Sequence, residues 1–310
     1  MRVVFLGTPE FAVPSLNALA AHHQVVAVYT QPDRPKGRGN PVVESPVKVA
    51  AKELNIPVLQ PERIRREENL EPLKAWGAEM MVVVGYGQII PQNIIDMPRY
   101  GILNVHASLL PKYRGAAPIQ WAIANGELET GVTIMQIDAG LDTGDLLLRG
   151  SLAIGASVTA PELSVRLAPL GADLLLEAIR QIEAGTAKPE RQRHEDATLA
   201  PILKKEDGLV DWRRKADEVY NRWRGFKPWP GSYTVFRGQQ LSIASAQPAK
   251  RASGAAGRIW AENRHVFVAC GGGTSLELLE VQLAGKRPTS ARAFLNGHEL
   301  VEKEMLGEKP

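Results

Sequence analysis

Residues 79–87 read Glu79-Met80-Met81-Val82-Val83-Val84-Gly85-Tyr86-Gly87. An apolar run without alternation reads as a strand covered on both faces, hence central in its sheet. Two glycines close it, where a ligand can approach the backbone. Working outward, Gly101 to Val105 forms a second such strand, and Arg2 to Leu6, Val25 to Tyr29 and Val58-Leu59 precede it. Helical patterns separate them. One starts near Pro9, with Phe11, Leu16 and Leu19 as its apolar stripe, and another runs from Pro46 to Leu54. Strands alternating with helices argue for a mostly parallel, Rossmann-like α/β sheet with helices on both faces.

After residue 130 the pattern changes. Val132 to Ile137 and Asp145 to Leu148 read as a hairpin with Asp142 on its connection. Pro161 to Glu183 has leucines at helical spacing, and Pro169 and Gly171 are expected to kink or divide that helix. The polar segment from Ala187 to Asp207 marks a boundary. We expect a catalytic domain over 1–188, a linker over 189–206 and a second domain over 207–310. The second domain opens with a helix from Trp212 to Arg224. Short strands follow at Tyr233–Phe236, Gln240–Ala244, Gly257–Trp260, His265–Ala269 and Ser275–Val281. Short strands separated by Gly, Pro and Ser suggest a small barrel.

The chemistry-bearing residues sit at the end of the second apolar strand and on the hairpin. They are Asn104 and His106, then Ser108-Leu109-Leu110-Pro111, and Asp142 in Gly140-Leu141-Asp142-Thr143-Gly144-Asp145. An amide, an imidazole and a carboxylate suit acyl transfer to an amine. The tetrahedral intermediate needs a donor for its oxyanion, the attacking ammonium needs a base, and the leaving nitrogen needs an acid. Singly, each is as readily a local cap or turn partner. On the residues alone, Asp138 or Asp145 could equally supply the carboxylate.

Asn104, His106, the Ser108–Pro111 run and Asp142 resemble the signature of the 10-formyltetrahydrofolate-dependent formyltransferases. Three further segments, Gly7-Thr8-Pro9-Glu10-Phe11-Ala12, Gln31 to Gly39 and Lys227-Pro228-Trp229-Pro230-Gly231, narrow the resemblance to the branch that formylates methionyl initiator tRNA. It covers most of the chain, and Ala107 departs from the glycine frequent there. The resemblance selects Asp142 and implies a catalytic group of Asn104 (oxyanion donor), His106 (oxyanion stabiliser or acid) and Asp142 (orienting group and proton acceptor). It implies 10-formyltetrahydrofolate as co-substrate, with the pteridine near Ser108, Leu109, Leu110 and Pro111 and near Gly85, Tyr86, Gly87 and Gln88. It makes Arg34, Lys36 and Arg38 tRNA contacts, and the second domain an OB-like barrel.

Charge distribution is compatible with such a partner. Residues 1–204 hold 20 Lys and Arg against 22 Asp and Glu, whereas residues 205–310 hold 17 against 12. A basic domain beside a near-neutral one suits a polyanion, though a solvated basic face has the same composition. Lys250, Arg251, Arg258, Lys286 and Arg287 are candidate phosphate contacts. Phe226 to Pro230 is either a tRNA-facing or interdomain surface or a rigid packed corner. The single cysteine, Cys270, fits a reducing compartment and a buried position. No uncharged apolar stretch approaches the roughly 20 residues a membrane span needs. The N-terminal apolar run is cut by Gly7-Thr8-Pro9-Glu10 and reads as a first strand, so a cytoplasmic location is expected; a monomer is expected. No Cys/His/Asp/Glu spacing suits a metal, and neither GxGxxG nor a Walker A sequence is present. Two alternatives stay open: a formyltransferase acting on a small amine (an amino sugar or glycinamide ribonucleotide), and a non-catalytic tRNA-binding protein.

Overall fold

The computed structural model describes residues 1–35, 42–251 and 254–307. Their Cα packing separates two compact units. The first comprises Met1–Ile119, Glu129–Ala153 and Glu162–Ile202, and the second Gln120–Leu128, Ile154–Pro161 and Leu203–Pro310.

In chain order the elements of the N-terminal half are β1 (Arg2–Gly7), α1 (Val13–His22), β2 (Gln24–Tyr29), β3 (Arg34–Pro35), β4 (Val42–Val43), α2 (Pro46–Glu53), β5 (Val58–Leu59), α3 (Leu70–Ala75), β6 (Met80–Val84), α4 (Gln92–Ile95), β7 (Ile102–His106), α5 (Pro118–Ala124), β8 (Glu129–Gln136), β9 (Leu146–Ala153) and α6 (Ala160–Glu183). The first unit is built on a seven-stranded sheet in the order β5-β2-β1-β6-β7-β8-β9. The strands from β5 to β7 are parallel, and β8 and β9 continue the sheet antiparallel. β6 lies fourth of seven, and every residue of β6 and β7 is buried. That is the environment the uninterrupted apolar run of β6 demands, whereas β7 carries Asn104 and His106 among its apolar residues.

α6 is not divided at Pro169 or Gly171; it runs unbroken for 24 residues with Pro169 inside. Pro169 lies on the exposed side of the helix, where water can take the carbonyl the ring leaves unbonded. Gly171 faces inward, and a Cβ there would lie 2.8 Å from Val105 Cγ1. Its glycine lets the helix approach the sheet and is not a breaker. Gly171→Val is therefore expected to destabilise the fold by about 1–3 kcal/mol through overpacking, read as a lowered Tm.

The second unit carries α7 (Ala216–Gly225), β10 (Tyr233–Phe236), β11 (Gln239–Ala249), β12 (Ile259–Glu262), β13 (His265–Ala269), β14 (Ser275–Leu283), β15 (Thr289–Ser290) and α8 (Ala291–Gly297). The strands form one antiparallel sheet in the order β10-β11-β14-β13-β12, with β15 on β14. Among the described residues no ladder joins the edge strands β10 and β12. β11 shifts register on either side of Ser245, the kind of irregularity that bends a strand. Trp212, Trp223, Phe236, Leu241, Val268 and Phe294 anchor its core. α7 starts four residues later than expected. Asp211 accepts from the Arg213 amide at 3.1 Å, closing a turn first, and Trp212 is still buried, its indole N–H on Thr234 Oγ1 at 3.1 Å. Cys270 is buried, and burial pushes its thiol up to about 12.

The polar segment ahead of the second unit is hydrogen-bonded to the first. Glu190 and Leu146 exchange both backbone bonds at 2.8 Å, and Arg114 pairs with Thr198 and Ala200 at 2.9 and 2.7 Å. Among the described residues no helix is long and apolar enough to cross a membrane.

Candidate active site

Asn104 and His106 are two residues apart on β7, so the period of a strand points both side chains to one face of the sheet. Both are buried, at 9% and 5% exposure. Asp142 reaches them because the β8–β9 connection folds back. Ile137 N–H bonds the Ile102 carbonyl at 2.8 Å, and the following residues return along β7 as far as Asn104. Asp138 closes that turn, its Oδ1 accepting from Gly140 N–H at 3.0 Å and from the Thr143 hydroxyl at 2.6 Å. Asp138 is thus engaged elsewhere, and Asp142 is the carboxylate brought to the amide and the imidazole.

Asn104 Nδ2 donates to Asp142 Oδ1 at 3.3 Å, and the Gly115 amide donates to Oδ2 at 2.8 Å. His106 Nε2 lies 2.9 Å from the Tyr113 carbonyl oxygen. A carbonyl only accepts, so Nε2 carries a proton. Nδ1 is left facing Asp142 Oδ2 at 3.6 Å, beyond a direct hydrogen bond but within ion-pair range. Any proton the imidazole gives or takes in this arrangement moves at Nδ1. Asp142 itself has φ +50°, and a Cβ on Gly144 would sit 1.9 Å from the Gln136 carbonyl oxygen. Gly144→Ala must open this connection. We expect a cost on the order of 1–3 kcal/mol together with reduced activity, checked by thermal denaturation and turnover of one preparation.

The loop after β7 is held from β8. The Thr133 hydroxyl donates to the Ser108 carbonyl at 2.7 Å and accepts the Leu110 amide at 3.1 Å. The Ser108 hydroxyl donates to the Lys112 carbonyl at 2.6 Å, and Leu110 packs on Met135 and Leu146. Leu109 and Pro111 are half-buried. In the neighbouring loop Gly85 and Gly87 are exposed with φ +58° and +81°. The Tyr86 ring is buried, and Gln88 is spent on the Ile64 amide (2.7 Å) and the Pro61 carbonyl (3.0 Å). What this loop offers a ligand is therefore mostly backbone.

Arg34 is exposed on the short β3–β4 ladder; Lys36 and Arg38 lie outside the described residues. The base of their loop is braced. Asp33 bonds Lys48 and Gln60, which hold its carboxyl below the usual range. Gln31 Nε2 and Thr8 Oγ1 both donate to the Tyr86 carbonyl, at 3.0 and 3.2 Å. In the second unit Arg251 pairs with Glu262 at 3.0 Å, while Lys286 and Arg287 are exposed. Phe226 is fully buried edge-on to Trp121, whereas Trp229 is 55% exposed. That stretch is thus a packed corner with one aromatic outside.

Three contributors were not singled out from the sequence: the Gly115 amide, the Tyr113 carbonyl and Gln192. Gln192 Nε2 donates to the carbonyls of Asp142 and Gly144 at 2.9 and 2.8 Å. Its Oε1 accepts from Arg114 Nε and Nη2 at 3.1 and 2.6 Å. Backbone donors leave no mark in a sequence, and a lone Gln in a polar segment carries no pattern. Among the described residues no three His, Cys, Asp or Glu side chains gather as a metal site would require.

Residues 1–179 match the family model described as formyl transferase, and residues 202–299 match the formyl transferase C-terminal domain. A protein of Solibacter usitatus (strain Ellin6076) named methionyl-tRNA formyltransferase is 57% identical over 309 residues, 99% of each chain. One of the same name from Koribacter versatilis (strain Ellin345) is 53% identical over 309 residues, again 99% of each. The chain belongs to the methionyl-tRNA formyltransferase family. In fold, the family's chain resembles the solved structure of WlaRD, a sugar 3N-formyl transferase, in the presence of dTDP and 5-N-formyl-THF. The TM-score is 0.67 at 20% identity, over 93% of this chain and 99% of that one. The trio therefore belongs to a fold on which formyl transferases are built.

Proposed function

We propose that this enzyme moves the formyl group of 10-formyltetrahydrofolate to the α-amino group of methionyl initiator tRNA. The observation that carries the reading is the convergence of Asn104, His106 and Asp142 in a chain whose full-length relatives bear that activity in their name. The amine nitrogen attacks the formyl carbon and its proton passes to Asp142, directly or through water. Asn104 Nδ2 has two hydrogens; one is on Asp142, and the other is free to meet the oxyanion. As the carbon–N10 bond breaks, the leaving nitrogen takes a proton from the His106–Asp142 pair, and tetrahydrofolate departs.

A folate derivative accompanies the solved sugar formyl transferase, which supports a folate donor here. The backbone of Gly85 and Gly87 and the loop from Ser108 to Pro111 are our proposed pterin contacts, because a pterin edge pairs naturally with amide and carbonyl groups. We assign the basic C-terminal third, residues 207–310, to tRNA binding as an OB-like domain, with Arg34 as a further contact.

The test is His106→Ala. The amide and carboxylate keep each other, and Asp142 keeps the Gly115 amide, so transfer is expected to fall by about 100-fold and not vanish. The Kd for charged initiator tRNA, measured by filter binding, should stay near the wild-type value. A variant as active as the wild type would remove His106 from the chemistry, and a wild type that binds the tRNA without formylating it would return the protein to a tRNA-binding role.

A further inference from the structure

We propose that Gln192 is a positioning residue for formyl transfer, setting Asp142 through its backbone; the inference rests on the function proposed above. The orientation of its amide is dictated by chemistry. A guanidinium has donors only, so the atom facing Arg114 must be Oε1. Both hydrogens of Nε2 are then aimed at carbonyl oxygens, those of Asp142 and Gly144. Every hydrogen-bonding group of the side chain is used in one geometry, and Gln192 and Arg114 are 7% and 6% exposed.

One of these carbonyls belongs to a residue under constraint. Asp142 has φ +50°, which L side chains seldom adopt and which persists only where surroundings hold it. Gln192 grips the chain at Asp142 and again two residues on. Arg114 is fixed in turn by its backbone bonds to Thr198 and Ala200, and the next residue, Gly115, sends its amide to Asp142 Oδ2 at 2.8 Å. The Arg114–Gln192 pair therefore links the backbone of Asp142 to the loop that holds its carboxylate. The segment carrying Gln192 is distant in sequence, and the Gln192 side chain meets the catalytic group through the backbone of Asp142.

Gln192→Glu separates positioning from support. A carboxylate still accepts from Arg114, so the buried guanidinium keeps its partner and the fold survives. It has no hydrogen for the Asp142 and Gly144 carbonyls and repels them. The experiment measures formyl transfer to charged initiator tRNA by the wild type, Gln192→Glu, Asp142→Ala and the double variant, with exchange of the Gly115 amide followed by NMR. We expect kcat of Gln192→Glu to fall about 10- to 100-fold, the size of a misplaced catalytic group, with KM for both substrates near the wild-type values. The loss should disappear in the Asp142→Ala background, and the Gly115 amide should exchange faster in Gln192→Glu. Unchanged kcat, an equal loss in the Asp142→Ala background, or unchanged Gly115 exchange would overturn the assignment. A wild type that transfers no formyl group to tRNA would sink the proposed function instead, and Gly115 exchange would still decide whether Gln192 sets Asp142.

Discussion

Asp142→Ala is expected to lower kcat for formyl transfer by about 10³- to 10⁴-fold, the largest effect of any single substitution in the site. The variant loses the proposed proton acceptor for the attacking amine. It also strips Asn104 Nδ2 and the Gly115 amide of their acceptor, and His106 Nδ1 of the carboxylate 3.6 Å away. Three groups lose their orientation with one side chain. The Asp142 side chain is 14% exposed, so water can reach the vacated space and folding should be less affected than catalysis. Asp142→Asn sharpens the point. Its amide oxygen can still accept from Gly115, while its NH2 meets Asn104 Nδ2 donor to donor and cannot take a proton, so it should remain impaired where it folds. Single-turnover transfer of a labelled formyl group, with thermal denaturation of each variant, checks both. Activity within a few-fold of the wild type in Asp142→Asn would exclude Asp142 as the base.

Asn104→Ala is expected to cost about 10²- to 10³-fold in kcat, the range for loss of one preorganised oxyanion donor. The residue sits in mid-sheet, its backbone in register with Val83 on one side and Met135 on the other, so the amide is held by a rigid strand and not by a loop. Such a donor needs no reorganisation when charge develops, which is why its loss should appear in kcat and leave KM for the folate and the tRNA near their wild-type values. An effect confined to KM would place Asn104 in ground-state binding.

Much of this was legible in the sequence wherever one local rule decides. An apolar run without alternation marked β6 as buried on both faces, β7 read as a further strand of that sheet, and β10 to β14 announced themselves between turn residues. Local rules failed where a distant contact overrode them. Pro169 and Gly171 read as a break, yet one faces water and the other lets α6 approach Val105. Asp138, Asp142 and Asp145 were equivalent as residues; what separates them is a fold-back of the β8–β9 connection that only the pairing of Ile137 with Ile102 reveals. The segment from Ala187 read as a polar boundary because its partners at Arg114 and Leu146 are backbone groups far away in the chain. Gln192 was invisible for the same reason, its side chain meeting Arg114 across 78 positions.

The most direct measurement is transfer of a labelled formyl group from 10-formyltetrahydrofolate by the purified protein, with charged initiator tRNA, free methionine and a nucleotide-linked amino sugar as parallel acceptors. Label on the methionyl-tRNA, with little on either small amine, is the result this account predicts. Label on the amino sugar alone, with the tRNA untouched, would contradict it.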